Sequence, residues 1–214
     1  MTLRTADPVF LELAGLPATG KTTSALLLKQ RLTELGLSCS VLPERDENSS
    51  LRTLRGHWYY NAWRLCRLVA QVLEAQCGQP LDVVIVDRGV VDALCWFAWL
   101  RRRGELPDQL AKVLESFLVD PPWIRGRQLV CVMRVAYETA VARRGGRTGF
   151  VVNERTYAEV ELAYSDTLRN PPPSWSQKLI RYLDTDHLSH EAVLRTLLDW
   201  LGEISPVVRS SSIE

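Results

Sequence analysis

The most constraining feature of this 214-residue chain is a short glycine-containing segment near its beginning. Residues 15–22 read Gly-Leu-Pro-Ala-Thr-Gly-Lys-Thr and match the pattern G-x-x-x-x-G-K-[ST] in full. A mostly apolar run precedes this segment, and leucines at helical spacing follow it. This strand–loop–helix context predicts a phosphate-binding loop, the P-loop or Walker A motif.

Each residue type in the loop has a physical role in holding a nucleoside triphosphate. Glycines let backbone N–H groups turn inward around phosphate oxygens, and the helix that starts near Lys21 adds its positive end. Lys21 would reach the β- and γ-phosphates, and the Thr22 hydroxyl would ligate Mg²⁺. We therefore predict ATP and Mg²⁺ as cofactors. The predicted nucleotide contacts are Gly15, Ala18, Thr19, Gly20, Lys21, Thr22 and Thr23.

Short apolar runs alternate with helical patterns along the chain. The predicted strands are 9–14, 38–42, 83–86, 128–133 and 179–183. The predicted helices are 21–35, 51–77, 91–103, 109–118, 137–144, 154–168 and 191–201. Nearly continuous apolar strands are typical of a parallel sheet covered on both faces. The pattern predicts a three-layer α/β P-loop NTPase fold. Its five-stranded parallel sheet, with the first strand flanked on both sides, would form a single domain over 1–204, followed by a frayed tail over 205–214.

Composition argues against several classes of protein. The net charge of +1 is a poor match for a nucleic-acid partner. There is no signal-peptide pattern, and the longest apolar run, 93–100, is too short to span a bilayer. Five cysteines without a C-x-x-C pair predict reduced, buried thiols of a cytoplasmic protein. The oligomeric state stays open, with a homodimer as one alternative.

A second charged motif follows the apolar strand near residue 86. The strand ends in Asp87-Arg88-Gly89. In an open α/β sheet, ligands bind beyond the C-terminal ends of the strands, so Asp87 and Arg88 are expected beside the P-loop. Asp87 could hold Mg²⁺ directly or through water, and Arg88 could hold a phosphate or the acceptor. The alternative is a salt-bridged strand end without function.

With these motifs the chain resembles the thymidylate kinase and deoxyribonucleoside kinase group of P-loop kinases. The resemblance rests on the P-loop, Asp87-Arg88, an arginine-rich bend at 142–149, and residues 182–186, which look like the last strand and its loop. It implies an ATP-dependent phosphotransferase whose small-molecule acceptor is a nucleoside or a nucleoside monophosphate. Nucleoside kinases usually carry Glu-Arg-Ser, and thymidylate kinases usually carry Asp-Arg followed by an aromatic residue. Asp87-Arg88-Gly89 matches neither in full, so the acceptor stays open.

The segment after the second predicted strand resembles the place where deoxyribonucleoside kinases keep a glutamate that accepts the proton of the attacking hydroxyl. Glu44 matches that glutamate. A base there would lie at a strand end that faces the γ-phosphate. Asp46 and Glu47 are alternatives, as is a solvated acidic loop without a catalytic role. If the acceptor is already a phosphate, no base is required, and Arg45 would bind the acceptor phosphate.

Residues 57–64 read His-Trp-Tyr-Tyr-Asn-Ala-Trp-Arg, in the first half of a long predicted helix. Tyr59 and Trp63 are four residues apart and share a face. Together with Trp58 they are predicted to bind a planar acceptor such as a nucleobase, and core packing is the alternative. A second aromatic group is predicted to be core: Trp96, Phe97 and Trp99.

The bend at 142–149 reads Ala-Arg-Arg-Gly-Gly-Arg-Thr-Gly and resembles the lid of these kinases, predicted over about 143–152. A mobile arginine loop would supply charge to the transferring group and exclude water on closing. Arg143 and Arg147 are the predicted catalytic lid residues, Arg144 is a rival, and a solvated basic turn is the alternative. Asn153 is predicted to cap the next helix.

These patterns predict a small-molecule kinase, with other functions kept as alternatives. The predicted catalytic residues are Lys21, Glu44, Arg88, Arg143 and Arg147. The predicted acceptor-binding residues are Arg45, Trp58, Tyr59, Trp63 and Arg88, and the predicted metal ligands are Thr22 and Asp87. One alternative is a kinase of another hydroxyl compound, such as an antibiotic or a polynucleotide end. The other is a non-enzymatic, ATP-dependent switch, against which an enclosed aromatic pocket beside the P-loop would count.

Overall fold

A computed structural model describes residues 7–44, 51, 54, 57–119, 124–145, 153–172, 175 and 178–211. The strands are β1 Val9–Gly15, β2 Cys39–Leu42, β3 Val83–Asp87, β4 Gln128–Arg134 and β5 Lys178–Asp184. The helices are α1 Lys21–Glu34, α2 Trp58–Cys77, α3 Val90–Arg102, α4 Asp108–Val119, α5 Tyr137–Arg144, α6 Glu154–Arg169, α7 His190–Ile204 and α8 Pro206–Ser211.

The strands form one parallel sheet in the order β2-β3-β1-β4-β5. β1 lies in the centre, between β3 and β4, as its sequence predicts. Leu13 of β1 is in register with Asp87 of β3, and Gly15 with Met133 of β4. Because all strands run in the same direction, Gly15 and Asp87 emerge at the same edge of the sheet.

Helices cover both faces of the sheet, which confirms the predicted three-layer α/β fold. Leu11 and Leu13 of β1 pack with apolar residues of α1 and α7 on one face. Phe10 and Ala14 pack with residues of α2, α3 and α6 on the other face. Burial on both faces explains why the strand segments are almost continuously apolar. The second aromatic group is core, as predicted: Trp96, Phe97 and Trp99.

Three sequence expectations need correction. The helix predicted from residue 51 begins only at Trp58, where His57 accepts a hydrogen bond from the backbone N–H of Tyr59. Part of the predicted frayed tail is α8, because Val208 is fully buried in the same apolar cluster as Leu201 of α7. All five cysteines are free, but Cys66 and Cys77 lie on exposed positions of α2 and are not buried.

Two further expectations concern helices. Asn153 caps α6 as predicted, since its side chain accepts a hydrogen bond from the backbone N–H of Thr156 at 2.8 Å. Within the described ranges, no helix is both long enough and apolar enough to cross a membrane.

Candidate active site

The P-loop curls between β1 and α1 because several of its residues adopt positive φ angles. Gly15 has φ 129°, Ala18 has φ 66° and Gly20 has φ 93°. A Cβ atom at Gly15 would lie 2.1 Å from the backbone oxygen of Met133, so a larger residue does not fit there. Gly20 precedes α1 without a side-chain cap, and the first turn of α1 has no acidic residue. The N-terminus of α1 therefore offers N–H groups to an anion.

Lys21 is buried inside this loop. Its Nζ donates to the backbone oxygens of Gly15 at 2.9 Å and Leu16 at 2.6 Å, and to Thr19 Oγ1 at 3.1 Å. Desolvation by burial, followed by the nearby positive charge of Arg88, lowers the pKa of Lys21 to about 7. A polyanion in the loop would oppose both effects and favour the charged amine.

Thr22 and Asp87 meet at the edge where β3 ends beside α1. The Thr22 hydroxyl donates to Asp87 Oδ2 at 2.5 Å. Asp87 Oδ1 is buried and has no hydrogen-bond partner in the described part of the chain. Desolvation raises the pKa of Asp87, which the hydrogen bond from Thr22 opposes. A cation placed beside these oxygens would satisfy the second carboxylate oxygen.

Thr22 and Asp87 suit Mg²⁺ rather than a metal ion whose ligands are all protein side chains. Mg²⁺ commonly binds one or two carboxylates together with substrate phosphates and several waters. No group of three or more His, Cys, Asp or Glu residues suited to a metal occurs among the described residues. Thr22 and Asp87 could therefore hold Mg²⁺ in company with a bound triphosphate.

Arg88 follows β3 in a left-handed backbone conformation, with φ 68°. Such a conformation costs a residue with a side chain about 1–3 kcal/mol and persists only where neighbours hold it. The Arg88 N–H donates to Leu13 O at 3.0 Å, and Nη1 donates to both oxygens of Asp92 at 3.0–3.1 Å. Desolvation alone would lower the pKa of Arg88. The carboxylates of Asp92 and Glu44 outweigh it and raise the pKa well above its usual range.

Glu44 lies between two arginines just after β2. Its Oε1 is 3.1 Å from Arg88 Nε and 3.6 Å from Arg64 Nη1. Arg64 Nε also donates to the backbone oxygen of Glu44 at 3.3 Å. The structure thus brings together Thr22, Asp87, Arg88 and Glu44, which the sequence predicted for one site. Arg64, on α2, joins them without having been predicted.

A cavity that is open to solvent lies beside Glu44 and Arg88. Its polar wall includes Glu44, Asn61, Arg64, Arg67, Gln71, Arg88 and Asp92, and its apolar wall includes Leu42, Leu65, Leu68 and Ala93. The α2 residues among them recur at helical spacing, so one face of this helix lines the cavity.

The aromatic side chains predicted to bind the acceptor do not belong to that face. Trp58, Tyr59 and Trp63 are not among the described residues that line the cavity. Tyr59 is 55% exposed, and Trp58 packs against the core. The Trp63 ring contacts Tyr60 at a centroid distance of 5.6 Å. Asn61, Arg64 and Leu65 line this cavity instead. That the aromatic residues bind the acceptor stays a prediction.

Comparison with known proteins identifies the fold. No protein-family model matches the sequence, and no curated protein matches it. Among solved structures, a deoxyadenosine kinase from M. mycoides with bound dATP matches with a TM-score of 0.68 at 13% identity, over 90% of this chain and 98% of that chain. A thymidylate kinase from Candida albicans matches with a TM-score of 0.62 at 16% identity, over 93% of each chain. This is the fold of the P-loop nucleoside and nucleotide kinases.

Of the two predicted catalytic lid residues, Arg143 lies within the described part of the chain. Its Nη1 donates to Thr185 Oγ1 at 3.1 Å and to Ala18 O at 3.4 Å, and its Nη2 donates to Thr185 O. Thr185 Oγ1 in turn donates to Thr19 O at 3.2 Å. Arg143 therefore lies against the P-loop. Several predicted residues lie outside the described residues: Arg45, Asp46, Glu47 and Arg147.

Glu12, in the middle of β1, is a buried acidic residue that the sequence did not single out. Its carboxylate accepts hydrogen bonds from the backbone N–H groups of Val91 at 3.2 Å and Asp92 at 2.8 Å, and so caps the N-terminus of α3. Desolvation raises the pKa of Glu12 to about 7 in spite of these two bonds. An acidic residue within an otherwise apolar central strand was the available sequence signal.

Proposed function

We propose that this protein is an ATP-dependent phosphotransferase that acts on a small molecule, with a nucleoside or a nucleoside monophosphate as acceptor. One observation carries the proposal. A continuous series of contacts runs from Thr22 to Asp87, through the adjacent Arg88, and on to Glu44 at the wall of the cavity. The phosphate loop and the cavity thus share one set of charged residues. A deoxyadenosine kinase with bound dATP shares this fold, which supports a nucleotide as a ligand.

The nucleotide half of the site is suited to hold a triphosphate. Lys21 would donate to the β- and γ-phosphates, and the N–H groups at the start of α1 would donate to their oxygens. Thr22 and Asp87 would hold Mg²⁺, which neutralises charge on the triphosphate when bound. Phosphoryl transfer depends mainly on positioning and on stabilisation of charge, and these residues supply both.

The acceptor half is suited to a hydroxyl group. Glu44 would accept the hydroxyl proton while the acceptor oxygen forms a bond to the γ-phosphorus and the bond from phosphorus to the leaving oxygen of ADP breaks. Arg88, beside Glu44, would bind the transferring group or the acceptor. The leucines of the cavity would pack against the less polar part of the acceptor, and Arg143 and Arg147 would add positive charge from the lid.

A nucleoside monophosphate is the second candidate acceptor, because three arginines line the cavity: Arg64, Arg67 and Arg88. Guanidinium groups bind phosphate oxygens well, often through two parallel hydrogen bonds. A phosphate oxygen is already anionic at neutral pH and needs no base. Arg45 would then bind the acceptor phosphate, and the role of Glu44 would be to orient Arg64 and Arg88.

An ATP-consumption assay against a panel of acceptors tests the proposal. The panel contains nucleosides, nucleoside monophosphates and other hydroxyl compounds, with a Lys21→Ala variant as the inactive control. We expect at least one nucleoside or monophosphate to raise ATP consumption well above that of the variant. Stimulation by another hydroxyl compound alone would contradict the acceptor class. Stimulation by no compound would favour the non-enzymatic switch.

A further inference from the structure

Asp92, in the first turn of α3, carries a carboxylate that the proposed chemistry does not use. Its side chain is only 1% exposed. An acidic side chain in a first turn often caps its own helix, but here Glu12 accepts the N–H groups of Val91 and Asp92. The Asp92 carboxylate is therefore available to groups on other parts of the fold.

Three donors from three separate parts of the protein converge on this carboxylate. Asp92 Oδ1 accepts from the backbone N–H of Gly15 at 3.0 Å and from the Tyr164 hydroxyl. Both carboxylate oxygens accept from Arg88 Nη1. Gly15 is the first residue of the P-loop, Arg88 borders the cavity, and Tyr164 belongs to α6. One buried carboxylate thus joins the phosphate loop to the acceptor side of the site.

The contact between Asp92 and Arg88 orients the guanidinium group of Arg88. Asp92 holds Nη1, and Nε then lies 3.1 Å from Glu44 Oε1, at ion-pair distance, although Nε makes no hydrogen bond within the described residues. Hydrogen bonds between ionised groups are stronger than neutral ones, so a neutral side chain at residue 92 would hold the guanidinium less firmly.

We propose that Asp92 is a positioning residue, which holds Arg88 and, through it, Glu44 in a fixed place relative to the first residue of the P-loop. Asp92 borders the cavity, but its burial and its hydrogen bonds mean that it acts through Arg88. The kinetic part of this inference rests on the proposed function. A misplacement of about 1 Å between reacting groups can lower turnover about a hundredfold.

The first test observes Arg88 directly and needs no acceptor. Asp92→Asn is compared with wild type by NMR of the ¹⁵N-labelled arginine side chains, and the Arg88 signal is assigned by its loss in Arg88→Lys. Asp166→Asn is the matched control, because Asp166 also pairs with an arginine, Arg102, but on the surface. We expect the Arg88 Nε signal to shift or broaden in Asp92→Asn and to stay in place in Asp166→Asn. An unchanged Arg88 signal in Asp92→Asn would overturn the proposal.

The second test is kinetic. Asp92→Asn should lower kcat about a hundredfold while the Kd for ATP changes by less than about threefold. In an Arg88→Ala background, Asp92→Asn should lower kcat by less than about a further threefold, because the group that Asp92 positions is already absent. A full additional hundredfold loss in that background would show that Asp92 does not act through Arg88.

Tyr164→Phe provides a second variant that keeps the carboxylate and removes one donor. It should lower kcat about fivefold, the effect of one hydrogen bond, and move the Arg88 signal less than Asp92→Asn does. If Asp92→Asn does not fold, an unchanged signal together with an unchanged kcat in Tyr164→Phe overturns the proposal. A wild-type protein that phosphorylates no acceptor would contradict the proposed function, and the NMR comparison would still decide the role of Asp92.

Discussion

Gly89 lies directly against the carboxylate of Glu12. A Cβ atom at Gly89 would stand 2.6 Å from both Cδ and Oε2 of Glu12, which is closer than real Cβ contacts occur. This explains the glycine after Asp87-Arg88, where the two kinase groups that the sequence resembles carry serine or an aromatic residue. The cap that Glu12 provides for α3 occupies the space that a side chain at residue 89 would need.

Gly89→Ala should therefore destabilise the fold by overpacking, by about 1–3 kcal/mol in the free energy of unfolding. Denaturation in urea measures this loss. In a Glu12→Ala background, Gly89→Ala should lower the free energy of unfolding clearly less, because the side chain that its methyl group would contact is absent. An equal cost in both backgrounds would mean that Glu12 is not what excludes a side chain at this position.

The burial of Glu12 also predicts a pH dependence of stability. The folded pKa is about 7 and the unfolded value is near 4.5, so between these values the folded protein keeps a proton that the unfolded chain has released. The free energy of unfolding should fall as pH rises through this window, by up to about 3 kcal/mol. Glu12→Gln does not titrate and lacks this component. A difference between wild type and Glu12→Gln that stays constant from about pH 4.5 to 7.5 would refute the raised pKa.

Asp87→Asn should reduce Mg²⁺-dependent turnover more than it reduces ATP binding. Asparagine lacks the negative charge and one of the two oxygens of the Asp87 carboxylate, and comparable changes around metal sites lower metal affinity or activity about 10- to 100-fold. The Mg²⁺ concentration that gives half-maximal turnover should rise. Asp108→Asn, in a surface ion pair with Arg101, is the control. Wild-type turnover of Asp87→Asn at every Mg²⁺ concentration would remove Asp87 from the mechanism.

Glu44→Gln distinguishes the two acceptor classes. If the acceptor is a hydroxyl, loss of the base should lower turnover about a hundred- to ten-thousand-fold, with ATP affinity nearly unchanged. If the acceptor is a monophosphate, the change should act mainly on the acceptor KM, and Arg45→Ala should be more harmful. Full activity of Glu44→Gln, with Asp46→Asn and Glu47→Gln also silent, would exclude a carboxylate base from this loop.

The sequence predicted those parts of the molecule that local patterns encode. Continuous apolar runs indicated the strands, and parallel strands bring their C-terminal residues to one edge, so Lys21, Asp87, Arg88 and Glu44 could be assigned to one region. The P-loop spacing is local as well, since its residues are consecutive.

The contacts around Asp92 could not be predicted in this way. Asp92 meets Gly15, 77 residues earlier, and Tyr164, 72 residues later, and no periodicity encodes such pairs. The face of α2 that lines the cavity could not be predicted in this way either. The rings at Tyr59 and Trp63 suggested binding by their chemistry, whereas α2 presents Arg64 to the cavity. The face that a helix presents depends on how it packs in the whole fold.

The most direct test of the account follows the γ-phosphate itself. Wild type and Lys21→Ala are incubated with Mg²⁺, ATP radiolabelled at the γ-phosphate, and each acceptor of the panel, and the labelled products are separated. Lys21→Ala should keep the sheet and its helices, because within the described residues Lys21 Nζ donates only to loop residues Gly15, Leu16 and Thr19, but it should lose transfer since its point charge for the phosphates is gone. We expect wild type to place the label on a nucleoside or a nucleoside monophosphate and Lys21→Ala to place it on neither. Binding of ATP by wild type without label on any acceptor above the level of Lys21→Ala would contradict this expectation.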